Sequence, residues 1–337
     1  MKSIRRILFP FVLIALFLLF LGYGTIYLSP GDICTDIINF VLGETPVDPV
    51  KSDLLRYIRL PHAVLAFIIG GGLAVTGAVM QGVMRNPLAD PYLLGISSGA
   101  SLGAVLAIAC GISTVFGLSG IGAFAFLGAG LVSLLILFFT SITGKGGSLI
   151  LILIGFALNA LCSAAVSFIV QAMAEPSKTR SIQFWLMGNI MVDDWISIGI
   201  LVFVLAAGTL YFLSQWRILD LMLVGDELSI SLGKNLVFYR KVYIGVTAIM
   251  VGAMVYMCGM IGFVGLLIPH MVRLVYGSRH RSLLPLSFLA GGCFLVGADM
   301  IGRNLISGVE LPIGVTASVC GAPFFVWMLL SGKYGAK

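Results

Sequence analysis

The chain has 337 residues and a formal net charge of +6. Hydrophobic residues make up 59% of it and charged residues 10%, with mean hydropathy +1.10, against about 45–50% and about 25% in soluble globular proteins. So few charges cannot solvate a water-soluble surface, and 20 Lys+Arg dispersed among 14 acids form no face for nucleic acid; the composition is that of a polytopic membrane protein.

Lys2, Arg5 and Arg6 precede an apolar run from Ile7 to Leu28. It exceeds the roughly 7–15 residues of a signal-peptide core, and no A-x-A site follows. It reads as a retained first span with a cytoplasmic N-terminus. Residues 29–60 read as a polar loop carrying Asp32, Asp36, Glu44, Asp48 and Asp53. Runs able to cross a ~30 Å core follow at about 61–84, 92–111, 115–140, 149–172, 195–214, 241–261, 283–302 and 312–330. A shorter stretch, 263–276, with Pro269 and His270, is a tilted short helix or part of a broken one. Counting it gives ten helices, an all-α fold and both termini on one side.

Charge tests this topology. With the first loop outside, 14 of the 20 Lys+Arg fall in cytoplasmic segments and six (Lys51, Arg56, Arg59, Lys178, Arg180 and Arg303) fall outside, as the positive-inside bias requires. Dropping the short helix would send Arg279, Arg281, Lys333 and Lys337 outside. Small residues recur every fourth position at Gly70, Ala74, Ala78 and Gly82, and at Gly95, Gly99 and Gly103. That spacing lets helix backbones approach closely. Thr76–Met80 (TGAVM) faintly echoes Val251–Val255 (VGAMV) in the opposite sense, which suggests an inverted internal repeat.

No catalytic centre is legible. Thr143–Ser148 (TGKGGS) looks like a phosphate loop, but Phe139 and Gly146 stand where the Walker pattern needs Gly and Ser/Thr. Cys34, Cys110, Cys162, Cys258, Cys293 and Cys320 include no C-x-x-C pair, and the three histidines form no ligand set, so no metal site is expected. Asp299, with Arg303 one turn later, is the one deep ionisable candidate and reads as an i,i+4 pair. Without a charged relay, energy must come from outside the chain.

Four polar islands interrupt the apolar pattern: Arg56–His62, Arg85–Pro91 with two helix-stopping prolines, the 215–241 stretch, and Gly308–Gly314. In the third, an amphipathic helix over about 226–232 between Gly225 and Gly233 would suit docking to a soluble protein.

In this order the islands resemble the permease subunits of bacterial ATP-binding-cassette importers for iron-siderophores, haem and cobalamin, the type II importers. The stretches are RLPHAVLAFIIGGGLAVTGAVMQGVMRNPLADPYLLGISSGASLGA, LILIGFALNAL, FWLMGNI, LVGDELSISLG, GMIGFVGLLIPHMVRL, HRSLLPLS and ELPIGVTASVCGAPFFVW, from about residue 59 to 327. The resemblance implies a single ten-helix permease domain over 1–337 in the bacterial cytoplasmic (inner) membrane, and a homodimer with the substrate path at its interface. It also implies two cytoplasmic ATPase subunits that carry ATP and Mg, and an extracytoplasmic substrate-binding protein; the chain itself would hold no cofactor and catalyse nothing.

The same resemblance assigns residues. Gly225, Asp226, Glu227, Leu228, Ser229, Ser231, Leu232 and Gly233 match the coupling helix that fits the ATPase. Asn86 and Leu88 match a cytoplasmic gate turn, and Gly144, Lys145, Gly146 and Gly147 match a second gate. Arg56, Arg59, His62 and Arg303 match the basic docking face for the binding protein. Two departures stand out: His62 where arginine is usual, and Cys258-Gly259-Met260 in place of the commoner Gly-Pro. Met80, Met84, Met254 and Met257 could line the path with soft thioethers or fill the core. An iron complex is the expected cargo, with cobalamin or an oxyanion such as molybdate as alternatives; an ion-coupled secondary transporter is the rival of another class.

Overall fold

The computed structural model describes residues 21–22, 27–46, 48–92, 94–115, 117–143, 148–173, 175–190, 195–225, 229, 236–306 and 310–330. The helices are α1 (Pro30–Leu42), α2 (Pro49–Asp53), a π-helical turn (Leu54–Arg59) and α3 (Leu60–Met84). Then come α4 (Ile96–Cys110), a hairpin of β1 (Thr114–Val115) and β2 (Leu118–Ser119), α5 (Gly120–Ile142), α6 (Ser148–Ala172) and α7 (Pro176–Leu186). The chain continues through α8 (Trp195–Ser214), α9 (Trp216–Val224), α10 (Leu236–Cys258), α11 (Val264–Tyr276), α12 (His280–Asn304) and α13 (Ile313–Leu330).

Six of these elements (α3, with the turn that precedes it, α5, α6, α8, α10 and α12) are long and apolar enough to span a membrane, and α4, α11 and α13 are shorter apolar helices. Six of the ten expected spans are thus met by helices of spanning length and three by shorter apolar helices; the expected first one, 7–28, lies mostly outside the described residues. α3 is the central helix. Its most apolar stretch is 83% buried, against 22% for α6 and 28% for α8, whose Leu153, Phe156, Phe168, Ile196 and Phe203 point outward, as lipid-facing side chains do.

The small-residue faces do what their spacing predicts. α3 packs most extensively on α12. There a Cβ on Gly71 would meet the Phe288 ring at 2.7 Å, and Gly70 and Gly291 face each other's carbonyl oxygens. Phe67 and Phe288 meet edge to face, 5.9 Å apart. α4 crosses α5 in the same way: a Cβ on Gly99 would stand 2.5 Å from the Gly128 oxygen. The two arms of the TGAVM echo differ in surroundings, since Gly77 lies against the Gly265 backbone and Gly252 against the Phe126 ring.

The structure corrects the reading of several connectors. The 29–60 stretch is helical rather than a plain loop. Ser29 and Asp32 form a reciprocal capping box at the start of α1, and the Ser29 backbone and side-chain hydrogen bonds hold the Asp32 carboxyl below its usual range. Asp48 caps α2, accepting from the Val50 and Lys51 N–H groups. The run expected from residue 115 starts as a span only at Gly120, because Gly111 (φ 70) ends α4 and the hairpin turns at Gly117 (φ 80). The 263–276 stretch, by contrast, is a short helix, one of its two expected forms. α10 ends at Cys258, Gly259 (φ 64) and Phe263 (φ 68) interrupt the helical run, and α11 runs 13 residues, about 20 Å and too short to cross alone.

Candidate functional site

The Arg85–Pro91 island forms a tight, self-bonded turn. Arg85 closes α3 in the left-handed conformation (φ 49, ψ 34). Asn86 Oδ1 accepts from the Leu88 N–H at 2.9 Å, and its carbonyl accepts from Ala89 N–H at 3.0 Å. This Asx geometry fixes the backbone locally and leaves Leu88 37% exposed. Asp90 Oδ1 accepts from the Tyr92 N–H at 3.0 Å, and Tyr92 in turn accepts from the Ile261 N–H at 2.7 Å in the α10–α11 break. The turn expected as a gate is thus tied to that break. Gly144, Lys145, Gly146 and Gly147, the expected second gate, lie outside the described residues.

Of the coupling segment, Gly225 and Ser229 are described; Asp226, Glu227, Leu228, Ser231, Leu232 and Gly233 lie outside the described residues. Ser229 is buried, and its N–H and Oγ both donate to the Gly225 carbonyl, at 3.2 and 2.5 Å.

At the opposite end, the basic residues matched to a docking face have partners within the chain. Arg56 makes a two-pronged pair with Asp36, Nε and Nη2 both at 2.9 Å from its carboxylate oxygens, and lies 4.7 Å over the Phe40 ring. Arg59 Nη1 donates to the carbonyls of Leu21 and Gly22 at 3.0 and 3.2 Å. His62 Nε2 is 3.5 Å from Asp299 Oδ1, and Arg303 Nε is 3.1 Å from Asp299 Oδ2. The i,i+4 pair is present as the sequence predicts, and His62 joins it from α3.

Met80, Met84, Met254 and Met257 are 0–4% exposed and belong to the main core. Of the two roles open to them, packing is the one the single chain displays. Among the described residues no group of His, Cys, Asp and Glu could hold a metal.

Sequence reasoning missed a cluster beside the Asn86–Leu88 turn. His280 Nδ1 lies 2.7 Å from Asp220 Oδ1, which also accepts the His280 backbone N–H at 2.8 Å. Arg85 Nε donates to the Met222 carbonyl at 2.8 Å. The usable signal was Asp220 itself, an acid within the apolar run WRILDLMLV.

Comparison with known proteins agrees with this architecture. The chain is 36% identical over 330 residues to the hemin transport system permease HmuU of Yersinia pestis, covering 96% of each. It is 37% identical over 323 residues to a protein named as an iron chelatin transport system permease in Helicobacter pylori, covering 94% and 95%. It is 36% identical over 305 residues to the vitamin B12 import permease BtuC of Klebsiella pneumoniae, covering 89% and 91%. A solved inward-facing structure of an ABC transporter assigned to the metal-chelate type superposes with a TM-score of 0.85 at 31% identity, over 98% of this chain and 100% of that one. Residues 12–331 match the FecCD transport family, and with these full-length relatives the chain belongs to that family of transport permeases.

Proposed function

We propose that this chain is the membrane-spanning subunit of an ATP-driven importer for a metal chelate, with an iron complex (a ferric siderophore or haem) as cargo. The observation that supports it is end-to-end similarity, at 36–37% identity, to permeases named for hemin and iron chelatin. A second reading, cobalamin, is favoured by relatives of equal identity named for vitamin B12. In this reading two copies enclose the path, a binding protein delivers the chelate outside, and separate ATPase subunits dock at Gly225–Gly233. ATP binding draws the ATPases together, and the Asn86–Leu88 turn and the 144–147 segment change state. The chain itself hydrolyses nothing. A path for a bulky chelate must bind weakly, since tight binding would trap it.

The internal pairing of Arg56, His62 and Arg303 gives these side chains a second task. A binding protein's carboxylates would have to compete with Asp36 and Asp299 for them, and with the Leu21 and Gly22 carbonyls for Arg59. The test is uptake in proteoliposomes holding this chain with its ATPase and binding protein, offered a ferric siderophore, haem, cobalamin and molybdate in turn. ATP-dependent uptake of an iron complex is expected. Uptake of cobalamin alone would establish the second reading, and uptake that follows an ion gradient without ATP would overturn both.

A further inference from the structure

Helix α9 is held to the end of α3 by two independent contacts. Arg85 is one of two non-glycine residues at positive φ among the described residues. An L residue there is strained by its Cβ, and glycine would occupy the position without that strain. What arginine supplies is its guanidinium. Nε donates to the Met222 carbonyl, in the last turn of α9, where carbonyls lack a partner within the helix and a cation is favourable. Nη1 lies beside Gly225, 3.8 Å from where a Cβ would stand.

The second contact runs through His280, the first residue of α12, which is fully buried. One edge of its ring meets Asp220. The other fills the space left by Gly82, where a Cβ would stand 3.1 Å from Nε2, and Nε2 has no hydrogen-bond partner among the described residues. The imidazole is therefore packed between α9 and α3. Asp220 and Met222 sit two residues apart on α9, and Gly82 and Arg85 three apart at the end of α3, so the two contacts fix both position and rotation of one helix on the other.

We propose that Arg85–Met222 and Asp220–His280–Gly82 form a clamp that makes α9 and the Asn86–Leu88 turn move as one body. This rests on the permease reading above: displacement of the segment after α9 by a docked ATPase reaches the gate turn through Arg85 and His280, which act as positioning residues.

The test uses the purified permease–ATPase complex in nanodiscs with Leu88→Cys as reporter. Its maleimide labelling rate is read by mass on that peptide, without nucleotide and with ATP–Mg plus vanadate. The complex carrying only the reporter should change its rate at least fivefold. Arg85→Gly and Asp220→Asn should each reduce the change below twofold while the ATPase still co-purifies, and Arg85→Lys, which keeps a donor, should recover at least half of it. Arg85→Gly is decisive because it relieves the positive φ: if the arginine only stabilised the fold, this variant would match the reporter complex. A full response in both Arg85→Gly and Asp220→Asn overturns the clamp alone. No response in the complex carrying only the reporter overturns the gate assignment and the clamp with it.

Discussion

Asp299 sits between a permanent cation and an imidazole, with side-chain exposures of 14–26% across His62, Asp299 and Arg303. At that depth the pair with Arg303 is worth more than a fully exposed one, where about 0–1 kcal/mol is usual. Removing the carboxylate leaves the guanidinium without its acid, a loss of roughly 1–2 kcal/mol for a partly buried charge-assisted bond. Asp299→Asn should therefore lower the melting temperature of the detergent-solubilised protein. Arg303→Gln in the Asp299→Asn background should lower it little further, because the two changes remove the same interaction. Additive losses would show that Asp299 and Arg303 act separately. Any docking assay on Arg303→Glu must be read beside this one, since that variant also sets two acids against each other one turn apart.

At the scale of elements, the α10–α11 break is the feature most dependent on distant support. Ile261 is 1% exposed, and its N–H has left the helical ladder, so it depends on the Tyr92 hydroxyl. Asn189 N–H bonds to the Cys258 carbonyl at 2.9 Å from the other side. Tyr92→Phe keeps the ring and removes the acceptor, stranding a buried donor at a cost of about 1–3 kcal/mol. Tyr256→Phe removes a comparable hydroxyl, which accepts from Ser119 N–H at 3.2 Å in a more accessible hairpin where water can substitute. Melting should fall more for Tyr92→Phe than for Tyr256→Phe; the reverse order would show that the break is held by packing alone. The sequence announced this break through the shortness of 263–276, with Pro269 and His270 falling inside the helix that follows it, and announced the long spans through unbroken apolar runs. It hid α1 and α7, because helices at the polar surface lack such runs. The S-x-x-D box at Ser29–Asp32 was a readable start signal for α1. The pairs Arg56–Asp36, His62–Asp299 and His280–Asp220 were not legible, because each joins segments far apart in the chain and depends on helix packing that no local pattern encodes.

At the scale of the whole molecule, α3 and α12 form the antiparallel axis. Each has 25 residues, about 37 Å at 1.5 Å per residue; His62–Asp299 fastens the pair at one end, and at the other His280 packs on Gly82 of α3 and ties α12 to α9 through Asp220. Which end faces the cytoplasm follows from charge. If 14 of the 20 Lys+Arg share the Arg85 and His280 side, as the ten-helix reading of the sequence assigns them, the positive-inside bias predicts that side within the cell and α1, with its exposed Cys34, outside. A membrane-impermeant maleimide added to intact spheroplasts should therefore label Cys34 and also Cys110, exposed at the far end of α4, and Cys34→Ser together with Cys110→Ser should remove that signal. Leu88→Cys should stay unlabelled until the membrane is permeabilised. Cys162, Cys258 and Cys293 are buried and should react on neither side. Labelling of Leu88→Cys in intact spheroplasts, with Cys34 protected, would invert the orientation and move the proposed ATPase contact to the wrong side of the membrane.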